Sequence, residues 1–282
     1  MKKPNMFLVG CVKSGTTTLY ELLKQHPQIF MSEVKGPDFF AEMPNDAYPQ
    51  FFKKREKYLS LFNNAKEKKI LGEASHYFHL KKAPEKIKKF NPKAKIVIIL
   101  RNPFEVIRSY YNSDLINPSN NLIGLYNKKN PSAVELIDSL EYSENIKRWG
   151  KFFNKNVFVL IAEDLNKNPK EELSKLFKFL DVDGNFTPEF KIHNVSRKTK
   201  NKYLLWLIQL LPLKSKLFLK NQLKEKFLKN IKNYIEKITT KEEIKRKIPN
   251  EILKEIKQKI NIEIEKTEKL LKKDLNSWRN NP

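Results

Sequence analysis

The chain of 282 residues is 40% hydrophobic and carries 56 Lys and Arg against 32 Asp and Glu, a formal charge of +24. This length and apolar share suffice for one sizeable core without a second domain, and the lack of low-complexity sequence excludes a disordered chain. A lone cysteine, Cys11, excludes an internal disulfide, and no apolar run approaches the roughly 18 residues of a membrane-spanning helix.

In chain order, short apolar strands alternate with amphipathic helices, the pattern of a parallel sheet covered on both faces. Asn5 to Gly10 reads as the first strand and Gly15 to Gln25 as the helix after it. Ile70 to Glu73 is a brief second strand, followed by a helix from Pro84 to Phe90 whose first position suits proline. Lys95 to Leu100 is the third strand, a β-branched apolar run of the fully buried kind, and Pro103 to Asp114 is its helix. Beyond an Asn- and Pro-rich loop, Ala133 to Phe153 reads as a helix, Asn156 to Ile161 as a fourth strand and Pro169 to Leu180 as a further helix. From Tyr203 onward the pattern is almost wholly helical. The expectation is a single domain over residues 1–282, an α/β nucleotide-binding core to residue 200 and a helical extension over 201–282.

The first strand runs into Gly10-Cys11-Val12-Lys13-Ser14-Gly15-Thr16-Thr17-Thr18, a phosphate-cradling turn in which the lysine is not where an ATPase puts it. The Walker A pattern sets two glycines five apart and follows the second with Lys-Ser/Thr. Gly10 and Gly15 keep that spacing, but Thr16 comes next and Lys13 lies inside the turn. From there the lysine can reach a 5′-phosphate and its bridging oxygen, while Gly15, Thr16, Thr17 and Thr18 open a helix whose free N–H groups attract an anion. The third strand ends not on the metal-binding Asp of a Walker NTPase but on Arg101-Asn102-Pro103. Arg101 suits a bidentate grip on a dianion, and Ser109, two turns into the following helix, can add a hydroxyl donor. The sequence thus carries two anion sites at two strand ends and no cluster with metal-ligand spacing.

At these residues the chain resembles the sulfotransferases that use 3′-phosphoadenosine 5′-phosphosulfate (PAPS). Lys13 to Thr18 is similar to their 5′-phosphosulfate loop, and Arg101-Asn102-Pro103 through Arg108-Ser109-Tyr110-Tyr111 to their 3′-phosphate motif. Lys35-Gly36-Pro37-Asp38-Phe39-Phe40, Leu71 to Ser75, Ala83 to Ile87 and Leu270 to Trp278 extend the likeness over nearly the whole chain. The last of these resembles the segment that closes the domain in bacterial members and in relatives of heparan-sulfate sulfotransferases. The resemblance implies a parallel sheet flanked by helices in a P-loop-like nucleotide-binding fold, PAPS as cosubstrate, no metal, and a saccharide or other polyol as acceptor. It further implies that Arg197 and Lys198, in a late basic loop, cover the 3′-phosphate or bracket the acceptor.

Sulfuryl transfer is an in-line displacement at sulfur in which the 5′-phosphate leaves, so Lys13 is the candidate that meets charge on the bridging oxygen. The acceptor also needs a base. In the glycosaminoglycan-type relatives it is the glutamate of Lys-Glu-x-x-Phe-Phe, and this chain has Gly36 there. In the cytosolic small-molecule members it is a histidine at the end of the following strand, where Ala74-Ser75-His76 sits in a comparable place. An ordinary histidine pKa of about 6.5 suits that work, and His76 is the favoured base, with Glu73, Asp38 and Glu33 in reserve. A structural hydrogen bond at a strand end is the competing role for His76. His26 reads as the cap of the first helix, His79 as a loop residue, and Cys11 as a small packing residue.

The basic excess has a plain source. Lys far outnumbers Arg, and Asn and Ile are plentiful, as in the translation of an AT-rich genome. The charges spread along segments such as Asn250 to Lys273 without the Arg clusters and interleaved aromatics of a nucleic-acid reader, so no nucleic-acid partner is expected. Part of the field can still steer an anionic cosubstrate. Met1-Lys2-Lys3 followed by Phe7 to Cys11 imitates a lipoprotein signal, but the apolar run is too short, and a cytoplasmic location is expected. Tyr203 to Leu211, an apolar stretch flanked by lysines, reads as buried against the domain or as resting on the inner face of a membrane. Two rival functions stand beside sulfuryl transfer: a nucleotide kinase on the same scaffold, and a polyanion-binding protein on a catalytically degraded fold.

Overall fold

A computed structural model describes residues 2–41, 54–112, 131–190, 198–199, 240–241 and 250–279. The chain divides into two compact units, Met1–His193 with Ile248–Pro282, and Asn194–Lys247. In the first, the elements run β1 (Met6–Leu8), α1 (Thr16–Gln25), β2 (Ile29–Met31), α2 (Arg55–Ser60), β3 (Ile70–Ala74), α3 (Ala83–Phe90), β4 (Lys95–Leu100) and α4 (Pro103–Tyr111). There follow α5 (Pro131–Leu140), α6 (Tyr142–Phe153), β5 (Val157–Ile161), α7 (Ala162–Lys167), α8 (Pro169–Phe179) and, near the C-terminus, α9 (Asn250–Leu271). The second unit holds β6 (Lys198–Thr199) antiparallel to β7 (Thr240–Lys241), and most of the stretch over residues 203–249 that reads as helical in the sequence lies outside the described residues. The stretch Tyr203 to Leu211, and with it the membrane reading, lies outside the described residues.

The sheet is parallel, in the order β2-β3-β1-β4-β5. Its strands feed cores on both faces, because successive side chains of an extended chain point to opposite sides. Phe7, Ile96, Ile98 and Leu100 join one core with Ile87, Phe104, Trp149, Ile260 and Trp278. Met6, Leu8, Val97 and Ile99 join the other with Leu19, Leu22, Leu23, Leu173 and Phe177. α1 and α8 thus cover one face, and α3, α4, α6 and α9 the other. The central strand β1 has β3 on one side and β4 on the other, and the chain visits β2 and β3 before crossing to β4. That crossing places a switch point beside the carboxyl end of β1, where open α/β sheets form their ligand crevices.

Two elements differ from the sequence reading. Four strands were expected and the sheet has five: β2, three residues long, is too short to show alternation and exists through its pairing with β3, Ile29 against Ile70. The single helix expected over 133–153 is two, broken at Glu141. The break is held by tertiary partners: Ser143 N–H donates to Glu263 Oε1 of α9 at 2.6 Å, and Asn145 Nδ2 donates to the Asp138 carbonyl at 2.6 Å. These contacts satisfy groups that a helix end would leave orphaned. They also tuck Tyr142 into the core against Trp278.

Candidate active site

The phosphate-type loop leaves β1 alongside β4, with Val9 N–H donating to the Val97 carbonyl at 2.9 Å and Cys11 N–H to that of Ile99 at 3.0 Å. Gly10 then turns with φ of +44°, and a Cβ there would stand 2.1 Å from Thr16 Cγ2. The turn therefore requires glycine both for its backbone angle and for the close approach of the helix start. Lys13 also takes a positive φ, 57°, and Gly15 at 93° precedes α1 as its N-cap. No side chain caps that end and no carboxylate lies in its first turn, so the N–H groups of the helix start meet the loop without a competing anion. Ser14 is buried and donates to the Val12 carbonyl at 3.3 Å; Thr16 and Thr18 are buried and Thr17 half-buried.

Cys11 is fully buried, its thiol directed to the Ser139 carbonyl at 3.5 Å and the Tyr142 hydroxyl at 3.8 Å. Burial pushes it up to about 12, which leaves it a packing residue and no nucleophile.

Arg101 leaves the end of β4 and turns back onto the same loop. Its Nη1 donates to the Lys13 carbonyl at 3.3 Å, and its Nη2 donates to Glu105 Oε2 at 3.2 Å. Arg108 pairs with the other oxygen of Glu105. The Arg101 backbone is fixed from the opposite side, where the Tyr142 hydroxyl donates to its carbonyl at 2.8 Å. Asn102 caps α4 by accepting from Phe104 N–H at 2.9 Å, and its Nδ2 reaches the Trp278 carbonyl at 3.3 Å. The C-terminal segment singled out in the sequence thus braces the strand end that carries Arg101. Ser109 lies half-buried two turns along α4.

The third group gathers at the end of β3. Gly36 N–H donates to the Ala74 carbonyl at 2.8 Å, Asp38 N–H to Ser75 Oγ at 3.2 Å, and His76 N–H to Asp38 Oδ1 at 3.4 Å. These bonds stitch the 35–40 loop to the strand. The imidazole of His76 is 53% exposed, with Nδ1 3.5 Å from Glu135 Oε1 of α5. Its pKa is lowered by loss of surrounding water and then by Lys35 and Lys13, with Asp38 opposing. The remaining exposure of the ring limits the water-loss part. Lys35 is itself lowered by burial, against Asp38 and Glu21. Lys13, Lys35, Asp38, His76 and Glu135 therefore share one electrostatic neighbourhood, in which water loss and the two lysines favour the neutral imidazole and Asp38 the charged one.

The remaining candidates lie elsewhere. Glu73 is fully buried, and Tyr58 donates to its Oε2 at 2.5 Å; burial pushes the carboxyl up to about 8. Glu33 is exposed and accepts from Asn64 Nδ2 at 2.7 Å. His26 binds the backbone through both ring nitrogens, to the Asp183 carbonyl and from Gln28 N–H. His79 is turned inward, and burial drops it to about 4. Arg197 lies outside the described residues, and Lys198 is described only as backbone in β6. Among the described residues no three His, Cys, Asp or Glu side chains converge as a metal site would require. Glu135 and Tyr142 escaped the sequence reading; no motif marks them, and only the packing of α5 and α6 brings them here.

A family model described as "Sulfotransferase domain" matches residues 3–242. Over 195 residues, 64% of this chain, the sequence is 27% identical to the bifunctional heparan sulfate N-deacetylase/N-sulfotransferase 4 of Mus musculus. It is 26% identical over the same length to the bifunctional heparan sulfate N-deacetylase/N-sulfotransferase 3 of Homo sapiens. In both cases the match spans 22% of the relative's length. The crystal structure of a sulfotransferase from Alicyclobacillus acidocaldarius, 19% identical, superposes with a TM-score of 0.70 and covers 99% of this chain and 100% of that one. That likeness speaks for the fold, a parallel sheet flanked by helices with a P-loop-like turn. With the family model matched over most of its length, the chain belongs to the sulfotransferase domain family.

Proposed function

We propose that this transferase moves a sulfuryl group from PAPS to a hydroxyl or amine of a saccharide acceptor. The observation that carries the reading is the bond from Arg101 Nη1 to the Lys13 carbonyl, which joins the two anion-binding elements at the ends of adjacent strands. One doubly phosphorylated adenosine can then engage both. The helix start at Thr16 to Thr18 and Lys13 suit the 5′-phosphosulfate, and Arg101 with Ser109 suits the 3′-phosphate.

In the transfer step the acceptor oxygen or nitrogen forms a bond to sulfur as the bond from sulfur to the bridging oxygen breaks. The electron pair leaves on adenosine 3′,5′-bisphosphate. Lys13 meets the charge that gathers on that oxygen, a role worth about 2.7–4 kcal/mol for a single preorganised donor. His76, its pKa lowered by its surroundings, takes the acceptor's proton. The saccharide preference is supported by the heparan sulfate N-sulfotransferase relatives.

Thermal unfolding with adenosine 3′,5′-bisphosphate, AMP, and ATP with Mg²⁺ tests the donor. Ligand at 100 times its Kd stabilises by about 2.7 kcal/mol. Stabilisation that needs the 3′-phosphate and is lost in Arg101→Ala supports the reading. Preferential stabilisation by ATP with Mg²⁺ points to the kinase, and indifference to all three nucleotides points to the polyanion binder.

A further inference from the structure

Glu135 belongs to no motif, yet it is the carboxylate that faces the His76 ring. We infer that Glu135 is the positioning residue of His76, accepting from its Nδ1–H so that Nε2 is the atom presented to the acceptor. The inference rests on the proposed transfer, with His76 as the base.

The placement is not a chance of one flexible side chain. Glu135 lies one helical turn before Ser139 on the same face of α5, and the Ser139 carbonyl accepts from the Cys11 thiol of the phosphate-type loop at 3.5 Å. The end of α5 is tied again where Asn145 Nδ2 donates to the Asp138 carbonyl at 2.6 Å. The helix that carries Glu135 is therefore anchored to the same loop that carries Lys13. Glu135 Oε1 stands 3.5 Å from His76 Nδ1, and its side chain is 22% exposed. Catalytic hydrogen bonds are often this long before substrate binds and tighten in the Michaelis complex.

The other nearby carboxylate is already engaged at the backbone, because Asp38 Oδ1 accepts from His76 N–H at 3.4 Å. Among the described residues, the other charged or titratable groups that act on His76 are Lys13 of the phosphate-type loop, Lys35 near Asp38 and His79 on the loop after β3. Of these, the two lysines and a neutral imidazole offer no carboxylate to the ring. Burial, with Asp38 adding, lifts Glu135 to about 7, so its charge forms over the pH range in which histidine titrates. When the acceptor O–H or N–H is broken, its proton moves to His76 Nε2 and the acceptor's electron pair goes to sulfur. The imidazolium so formed is stabilised by the Glu135 carboxylate, as a carboxylate behind any catalytic histidine stabilises it.

The test reads the histidine directly. In ¹⁵N-histidine-labelled full-length protein, two-bond ¹H–¹⁵N correlation spectra identify the tautomer of each ring, with His76→Gln assigning the signal. The wild type is expected as the Nδ1–H tautomer, the reverse of the free histidine side chain, which favours Nε2–H. Glu135→Gln, which keeps an acceptor oxygen, should preserve that tautomer and lower the His76 pKa. Glu135→Ala should lose the tautomer, while unchanged binding of adenosine 3′,5′-bisphosphate confirms that the variant is folded. In transfer from labelled PAPS to a glycan panel, Glu135→Ala should lower kcat by about 10²-fold, at the lower end of what a whole general base supplies, with the PAPS KM unchanged. An Nε2–H tautomer in the wild type, or one unmoved by Glu135→Ala, overturns the inference. Absence of transfer by the wild type instead overturns the proposed function and leaves the tautomer result standing.

Discussion

Replacing Glu73 by glutamine should stabilise the protein, and should do so only where pH is high. The carboxyl is fully buried on β3 within an aromatic cluster that includes Tyr58, Phe40 and Tyr77, and it accepts from the Tyr58 hydroxyl at 2.5 Å. Burial lifts its pKa from 4.5 to about 8, outweighing the hydroxyls of Tyr58, Tyr77 and Ser75 that lower it. The folded state therefore holds the proton more tightly than the unfolded chain does. The associated stability is fully present below 4.5 and is lost as pH rises to about 8, beyond which the loss is complete. At about 1.36 kcal/mol per pH unit, the loss is on the order of 5 kcal/mol. Glutamine keeps an oxygen for Tyr58 and has no charge to desolvate, so its stability lacks this slope. Urea unfolding of both proteins from pH 5 to 9 measures it: the difference between variant and wild type should grow in favour of the variant across that range. A difference that stays constant with pH would show that Glu73 does not carry this buried, lifted pKa.

Gly10→Ala should abolish the response to adenosine 3′,5′-bisphosphate in thermal unfolding, because its Cβ would lie 2.1 Å from Thr16 Cγ2 at a φ of +44° and would push the helix start away; retained binding would mean the turn is not the phosphate cradle. Lys13→Met should lower turnover by about 10²–10³-fold, the cost of one missing donor at developing charge, with folding kept as judged by unfolding temperature. A wild-type rate in that variant would remove Lys13 from the chemistry.

The turn from β1 into α1 was legible because its determinants are consecutive: the spacing of Gly10 and Gly15, a lysine inside the turn and a threonine-rich helix start need no distant partner to be recognised. β4 was equally plain, since Lys95–Leu100 is read from its own apolar run and emerges with those bounds. Strand β2 was not, because three residues carry no period and Ile29–Met31 is a strand only beside β3. The break at Glu141 was hidden too: the helical pattern continues through it, and the bonds that reward stopping come from Glu263 on α9.

The sequence by itself determined an α/β sheet in which one strand runs into a glycine turn and a helix start and another ends on Arg101, because local backbone chemistry at Lys13 to Thr18 and at Arg101 to Pro103 is written in adjacent residues. Only the tertiary structure decided that those ends touch through Arg101 and the Lys13 carbonyl, that Glu73 is sealed in the core, and that Glu135 faces His76. Strand order, helix docking and burial set those three outcomes, and each depends on pairings between residues far apart in the chain. A carboxylate's place in the sequence does not tell whether it will meet water, a hydroxyl or an imidazole; the packing around it does.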